Sequence, residues 1–492
     1  MGLAPLLDIV QSPLPKEGWA ESNKKAFEAL FGSPGGRYPK QAAKSVTLRA
    51  PEMSPEFGVP FAAYIHPSNP PSGPYSGLSF VIFPVPDAPC LIGMGVGTQG
   101  LSPDEVILGR PGHTRKAQAI CSWLNREYGA GGFLAWAKQD ATRTDLSVPD
   151  NVREAWPPAY KSVFDRYGKE MYALYSPTSD RAGTEAALTA FLDLLFEERG
   201  YRTIESCKGS YESIRGKWFD HLMPAIERLQ VADQLAASRY VIVQGPPGTG
   251  KTMMATELLR DEYGGRGRSI QFHPNTTYEN FIGGLAPTSA GGDLGFRFAP
   301  TRGFLMEAAA QALADPSQNY LLHIDEINRA DLGKVLGEAI FLLEKKASDD
   351  RKIDLPYDFG EPFHRRFFLP KNLHILGTMN SADRSIAIVD VAVRRRFAFV
   401  PLWPKMSVVQ QYGCATMQQA FKDLVSIFID HATDDAFPLV PGHSYFLEAD
   451  ETHAKEELRV NLIPLLEEYL AQGYIGGFAE PIRGYLQKLR SL

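Results

Sequence analysis

The stretch Gly245-Pro246-Pro247-Gly248-Thr249-Gly250-Lys251-Thr252 constrains this chain more than any other part of it. It completes the pattern G-x-x-x-x-G-K-[ST], and an apolar run at 240–244 delivers the backbone into it. Glycines let backbone N–H groups curl around phosphate oxygens with no side chain in the way. A helix that starts where the loop ends aims its positive pole at the same phosphates. Lys251 adds a charge that reaches the outer phosphates, and the Thr252 hydroxyl can ligate Mg²⁺. The loop therefore predicts a nucleoside triphosphate site. The plain alternative is a chance glycine turn, and three further constellations weigh against it.

Tyr320-Leu321-Leu322-His323-Ile324-Asp325-Glu326 is an apolar strand ending in two carboxylates. Asp325 is placed to complete the Mg²⁺ shell, and Glu326 to orient and polarise an attacking water. Phosphoryl transfer needs positioning and charge neutralisation more than covalent help, so these acids complete a minimal kit. His323 reads as a satisfied core histidine. A later strand ends in Gly377-Thr378-Met379-Asn380-Ser381-Ala382-Asp383-Arg384-Ser385. An Asn there can lie between the first two motifs and sense a γ-phosphate, although Asn is also common in turns. Finally, Arg394-Arg395-Arg396 precede an apolar strand. A solvated charged face and an arginine supplied in trans to a neighbour's γ-phosphate are equally open readings of that run.

Apolar runs at 240–244, 269–272, 320–324, 373–377 and 397–402 alternate with helical stretches. That alternation indicates crossover units and a parallel sheet. Beyond Pro404 the chain reads as helical. The expected domains are 1–200, an α+β domain; 201–238, a helical connector; 239–402, an α/β nucleotide-binding core; and 403–492, a helical lid. Strands are expected at 59–65, 78–85 and 90–96, and helices at 117–128, 186–198, 218–237 and 461–471. Stretches around Trp156-Pro157-Pro158 and Ser176-Pro177 read as a connection.

Together these residues resemble McrB, the motor subunit of modification-dependent restriction systems. The likeness is carried by Asp325-Glu326-Ile327-Asn328-Arg329-Ala330, by Met379 to Ser385, and by Val389-Asp390 leading to Arg394-Arg395-Arg396-Phe397. Phe272-His273, Tyr278 to Ile282, Gly442-His443-Ser444-Tyr445-Phe446 and Pro464 to Tyr469 extend it. The resemblance implies the AAA+ fold, a homo-hexameric ring with nucleotide at subunit interfaces, GTP hydrolysis, and a nuclease partner of the McrC type. It also implies that Lys251, Thr252, Asp325, Glu326 and Asn380 act in one subunit while Arg395 and Arg396 reach the neighbour's nucleotide, with Asp383 and Arg394 at the interface. The segment 283–302, with Gly291, Gly292 and Gly295, is longer than the family leads one to expect and reads as a loop facing partner or pore. No Asn-Lys-x-Asp guanine-reading motif is present, so ATP stays beside GTP as substrate. The Asp-Glu-Ile-Asn-Arg stretch is shared with MoxR-like AAA+ chaperones, which remodel proteins and are the alternative reading.

The N-terminal half resembles the DNA-reading domain of some McrB-like proteins in layout only. There Arg110, His113, Arg115 and Lys116 are candidates for phosphate contacts, against a solvated basic loop. Tyr64, Tyr75 and Trp123 are candidates to stack on a flipped base, against core packing. A net charge of −6 argues against a surface that is basic all over, without excluding a local patch on DNA, modified or not. Cys90, Cys121, Cys207 and Cys414 lie too far apart for a metal pair or a disulfide framework, which fits a reducing cytoplasm. No apolar run is long enough to span a membrane, and no signal peptide is read.

Overall fold

The computed structural model describes residues 2–14, 18–49, 59–69, 77–97, 111–139, 145–289, 296–344, 351–382 and 391–492. Asp383, Arg110 and Tyr75 lie outside these described residues. The chain divides into two compact units: Met1–Met223 with Ser426–Asp434, and Pro224–Val425 with Asp435–Leu492.

The first unit is built on six strands: β1 (Thr47–Arg49), β2 (Ala62–Ile65), β3 (Gly77–Val85), β4 (Ala88–Gly97), β5 (Ala135–Ala137) and β6 (Met171–Tyr175). They lie in the order β1-β2-β3-β4-β6-β5, each neighbour antiparallel. β3 is buried without a break from Ser79 to Val85, which explains why it reads as a continuous apolar run rather than an alternating one. Helices Pro111–Tyr128 and Arg181–Glu197 pack against the sheet. The second of these is buried from Gly183 to Phe196 except at Glu185. It carries Asp193 into the interior, where Arg37 donates to it from two nitrogens at 2.7 and 2.5 Å and the Tyr38 hydroxyl donates at 2.6 Å. A carboxylate can be buried at such a place only because both of its oxygens are bonded and its charge is paired.

Three expectations for this half change. The stretch at Trp156-Pro157-Pro158 is no connection: Trp156 and Tyr160 pack with Val81, Phe83, Leu91 and Phe164 in the core. Its prolines turn the chain inside the unit. The expected helix 218–237 is two helices, Lys208–Leu222 and Arg228–Ser238, split at Pro224, where a proline denies the helix an N–H. The unit boundary falls at this split, so 201–238 is not a separate body.

The second unit holds a parallel sheet of β7 (Tyr240–Gly245), β8 (Gly267–Gln271), β11 (Tyr320–Asp325), β14 (Leu373–Asn380) and β15 (Ala398–Pro401), in the order β15-β7-β14-β11-β8. These are the five apolar runs of the sequence. Helices Arg228–Ser238 and Lys251–Asp261 bury Val231, Leu235, Ala255 and Leu258 against Val241, Val243 and Leu376. Phe272, Phe281, Leu305 and Leu322 belong to a larger cluster with Tyr240 and Ile375. The expected loop 283–302 holds strands at its two described ends, β9 (Gly283–Ser289) and β10 (Phe296–Arg302), paired antiparallel with Gly283 opposite Arg302; Gly291, Gly292 and Gly295 lie outside the described residues. Two further short strands, β12 (Ile353–Asp354) and β13 (Arg366–Phe367), pair by themselves. Helices Met406–Tyr412, Glu451–Glu457, Ile463–Ala471 and Ala479–Arg490 follow the sheet in the chain.

Candidate active site

Strand order builds the site. β14 lies between β7 and β11, so the chain ends of all three meet along one edge of the sheet. β7 leads into the glycine loop, β11 ends at Asp325, and β14 ends at Asn380, which pairs in register with Gly245. The Ser381 N–H donates to the Gly245 carbonyl at 3.0 Å. Asn380 thus ends the strand that lies between the one leading into the glycine loop and the one ending at Asp325. Its side-chain oxygen accepts from the Ala382 N–H at 3.0 Å, which fixes the turn that presents it.

The loop itself is shaped by φ values of 79° at Gly248 and 78° at Gly250, a region that costs glycine nothing. The Thr249 hydroxyl closes the turn by donating to the Pro246 carbonyl at 2.9 Å. Helix Lys251–Asp261 starts directly after Gly250. The Lys251 ammonium donates to the carbonyls of Gly245, at 3.0 Å, and Pro246, at 2.7 Å. Burial pulls its pKa down to about 8, against the opposing pull of Glu326 and Asp325.

Thr252 Oγ1 lies 3.3 and 3.2 Å from the two oxygens of Asp325. A hydroxyl and a carboxylate converging at a phosphate loop are oxygen donors suited to a hard divalent cation. No group of three or more His, Cys, Asp or Glu side chains among the described residues could hold a metal by itself. The donor set fits Mg²⁺ bound chiefly through nucleotide phosphates and water, with Thr252 and Asp325 as the protein's share. Glu326 follows with φ 53° and ψ 44°, the left-handed region that non-glycine residues seldom occupy. Holding it there costs on the order of 1–3 kcal/mol, and such strain clusters at functional sites. Arg329 Nε stands 3.4 Å from Glu326 Oε2.

His323 is buried as expected but only half satisfied: Nδ1 is 3.1 Å from Ser269 Oγ, while Nε2 is buried without a hydrogen-bond partner among the described residues. Burial holds its pKa below the ordinary value.

The arginine run lies elsewhere. β15 starts with Ala398 beside Val241 and ends with Pro401 beside Gln244. Arg394–Arg396 therefore precede the far end of the sheet, roughly 13 Å along β7 from the glycine loop before their own turn is counted. Arg394 sits 5.1 Å from the Phe399 ring and is exposed, as is Arg395. Arg396 donates to the Ala392 carbonyl at 2.8 Å.

Two contributors were not assigned roles from the sequence. The segment Gly442-His443-Ser444 hydrogen-bonds to the glycine loop: the Gly442 N–H donates to Pro247 at 2.8 Å and the Ser444 N–H to Gly248 at 3.0 Å. A Cβ on Gly442 would stand 2.1 Å from the Gly248 carbonyl, so only glycine fits. The second is Thr378, whose hydroxyl donates to Asp325 Oδ1. A hydroxyl within a buried apolar strand was the available signal.

In the first unit the candidate DNA contacts are corrected. Tyr64 and Trp123 are 0% and 2% exposed and cannot receive a base; they are core. Lys116 is buried between Glu198, at 2.9 Å, and Asp430, at 2.7 Å. His113 is buried 3.4 Å from Glu198. Arg115 donates to the carbonyls of Ile429 and Ala432 at 2.8 and 2.7 Å. These side chains are engaged by carboxylates and backbone carbonyls of their own unit, not held out toward phosphates.

The position of Lys251 gives a prediction. Its charge is required by a triphosphate and disfavoured by burial, so above about pH 8 a proton must be taken up on binding. Affinity for a triphosphate should be constant below pH 7.5 and fall about tenfold per unit above the Lys251 pKa. Calorimetry in buffers of differing ionisation heat should show proton uptake at pH 9 and much less at pH 7.

Comparison with known proteins agrees with this geometry. Residues 240–397 match the AAA domain of the dynein-related subfamily. The type IV methyl-directed restriction enzyme EcoKMcrB subunit of Escherichia coli K12 is 32% identical over 272 residues, 51% of this chain and 58% of that protein. The type II restriction enzyme BsuMI component YdiS of Bacillus subtilis 168 is 27% identical over 276 residues, 47% of this chain and 78% of that protein. The chain thus spans little more than half the length of the first of these relatives. Its second unit holds a stretch, 240–397, that matches an AAA domain, and the chain is similar in sequence to these two restriction-enzyme components.

Proposed function

We propose that this chain is the nucleotide-driven motor subunit of an McrBC-like anti-phage restriction complex. In this reading it hydrolyses GTP or ATP with Mg²⁺, assembles as a homo-hexameric ring, engages DNA, and drives a nuclease subunit of the McrC type. The observation that carries it is the separation within one subunit of two halves of a hydrolytic site. Glycine loop, Asp325, Glu326 and Asn380 share one edge of the sheet, and Arg394–Arg396 precede the other. In this reading the run does not serve its own loop, and a neighbouring copy in a ring presents Arg395 and Arg396 to it. The likeness to two restriction-enzyme components supports the rest.

The chemistry follows from the residues. The loop N–H groups and Lys251 hold the phosphates. Thr252 and Asp325 would hold Mg²⁺, which would supply neutralisation of phosphate charge. Glu326 orients the attacking water and Asn380 donates toward the γ-phosphate. The neighbour's arginines stabilise charge that develops as the bond breaks.

Glu326→Gln should keep nucleotide binding and slow hydrolysis by about a hundredfold or more, since only the water-orienting group is lost. Turnover at the wild-type rate would show that Glu326 has another role. Arg395→Ala and Arg396→Ala should each lower turnover by up to roughly a thousandfold. Mixing either with Lys251→Ala subunits should restore activity, because each supplies the half that the other lacks; mixtures as dead as their parents would rule out action in trans. In electrophoretic shift, the full chain should retard a methylated duplex more than an unmethylated one. Retardation of neither would remove DNA from the proposal.

A further inference from the structure

We infer that Thr378 is a positioning residue for the metal-binding carboxylate, acting through Asp325. The inference deepens the hydrolytic reading above and rests on it.

Thr378 is 1% exposed and lies near the end of β14 between Gly377 and Met379. Ile324 of β11 pairs in register with Gly377, so the next residues, Asp325 and Thr378, follow side by side. The Thr378 hydroxyl donates to Asp325 Oδ1. From the other side Thr252 Oγ1 approaches both Asp325 oxygens, at 3.3 and 3.2 Å. One carboxylate is thus held between two hydroxyls. The one on the glycine-loop helix belongs to the phosphate site, and the one on the central strand is fully buried.

The two hydroxyls do different things. Thr252 is within reach of a nucleotide-bound cation. Thr378 is too deep to touch nucleotide and holds one oxygen of the carboxylate, which sets its rotation. A β-branched side chain has little freedom about χ1, so the donor is rigidly aimed. A hydrogen bond to an ionised acceptor is stronger than one between neutral groups, more so away from water. Valine would fill the same space and suits a buried parallel strand better, since it hides no hydroxyl. What the hydroxyl adds is therefore orientation of Asp325, and partners that orient metal ligands commonly govern metal affinity.

The test compares Thr378→Val and Thr378→Ser with wild type in the full chain. The readout is binding of a fluorescent, non-hydrolysable triphosphate analogue, first in EDTA and then over a Mg²⁺ titration, with thermal midpoint as a check of folding. Thr378→Val should bind the analogue as wild type does in EDTA, because loop and Lys251 are intact. Its Mg²⁺ half-saturation should rise roughly tenfold to a hundredfold. Thr378→Ser, which keeps the donor, should titrate close to wild type. A Val variant with the wild-type Mg²⁺ titration would overturn the inference. So would a Val variant that loses analogue affinity equally in EDTA, since that marks a packing defect. If Val does not fold, Thr378→Ala carries the same comparison. A wild-type protein whose analogue binding ignores Mg²⁺ would instead overturn the hydrolytic reading itself, and the role of Thr378 with it.

Discussion

The parallel running of five strands, the middle three of them buried, is the constraint on which the site depends. Parallel strands release all their C-terminal loops along one edge, and ligands of open α/β sheets bind there. The order β15-β7-β14-β11-β8 then decides which loops are neighbours. It puts β14 between the glycine loop and the acids, so Asn380 and Thr378 come from the same strand and serve different partners. The same directionality sends Arg394–Arg396 to the opposite edge, because they precede their strand instead of following it. One topological fact thus gathers the glycine loop, Asp325 and Asn380 at one edge and leaves the arginine run before the other.

Electrostatics at that edge are arranged against local preference. A lysine pushed down to about 8 by burial and a glutamate in left-handed backbone are both costs borne by the fold. Each is the sort of local violation expected where chemistry overrides stability. Lys251 is held over the loop by two carbonyls, and a triphosphate offers it far more negative charge. The glycine loop is in turn hydrogen-bonded to Gly442 and Ser444, contributed by a segment nearly two hundred residues later in the chain.

Legibility in the sequence differed between elements for physical reasons. Strands buried on both faces, such as β3, β7, β11 and β14, are runs of apolar residues that no polar position interrupts for long, and they were readable. The pair of strands at 283–289 and 296–302 read as loop because its glycines and prolines resemble loop composition. Its Pro287 and Pro300 lie opposite Phe298 and Leu285 in a ribbon of only two strands, where proline is tolerated. Pro157 and Pro158 misled in the opposite sense, turning the chain within the core around Trp156 and Tyr160. The basic group at His113, Arg115 and Lys116 looked like a phosphate clamp because its partners, Glu198 and residues 429–434, are distant in sequence. A cation's partner is a tertiary fact.

By itself the sequence determined the chemistry available: a glycine loop that only phosphates fill well, two acids at a strand end, a polar strand end and an arginine run, each legible because local backbone geometry demands those residue types in that order. Tertiary structure alone decided which of them meet. It joined Thr378 to Asp325 and Gly442 to Gly248, buried the aromatic and basic candidates of the first unit, and parted the arginines from the loop. The reason is that strand order and burial are set by packing between segments far apart in the chain, 53 residues for Thr378 and Asp325 and 314 for Arg115 and Ile429, and no local pattern carries that information.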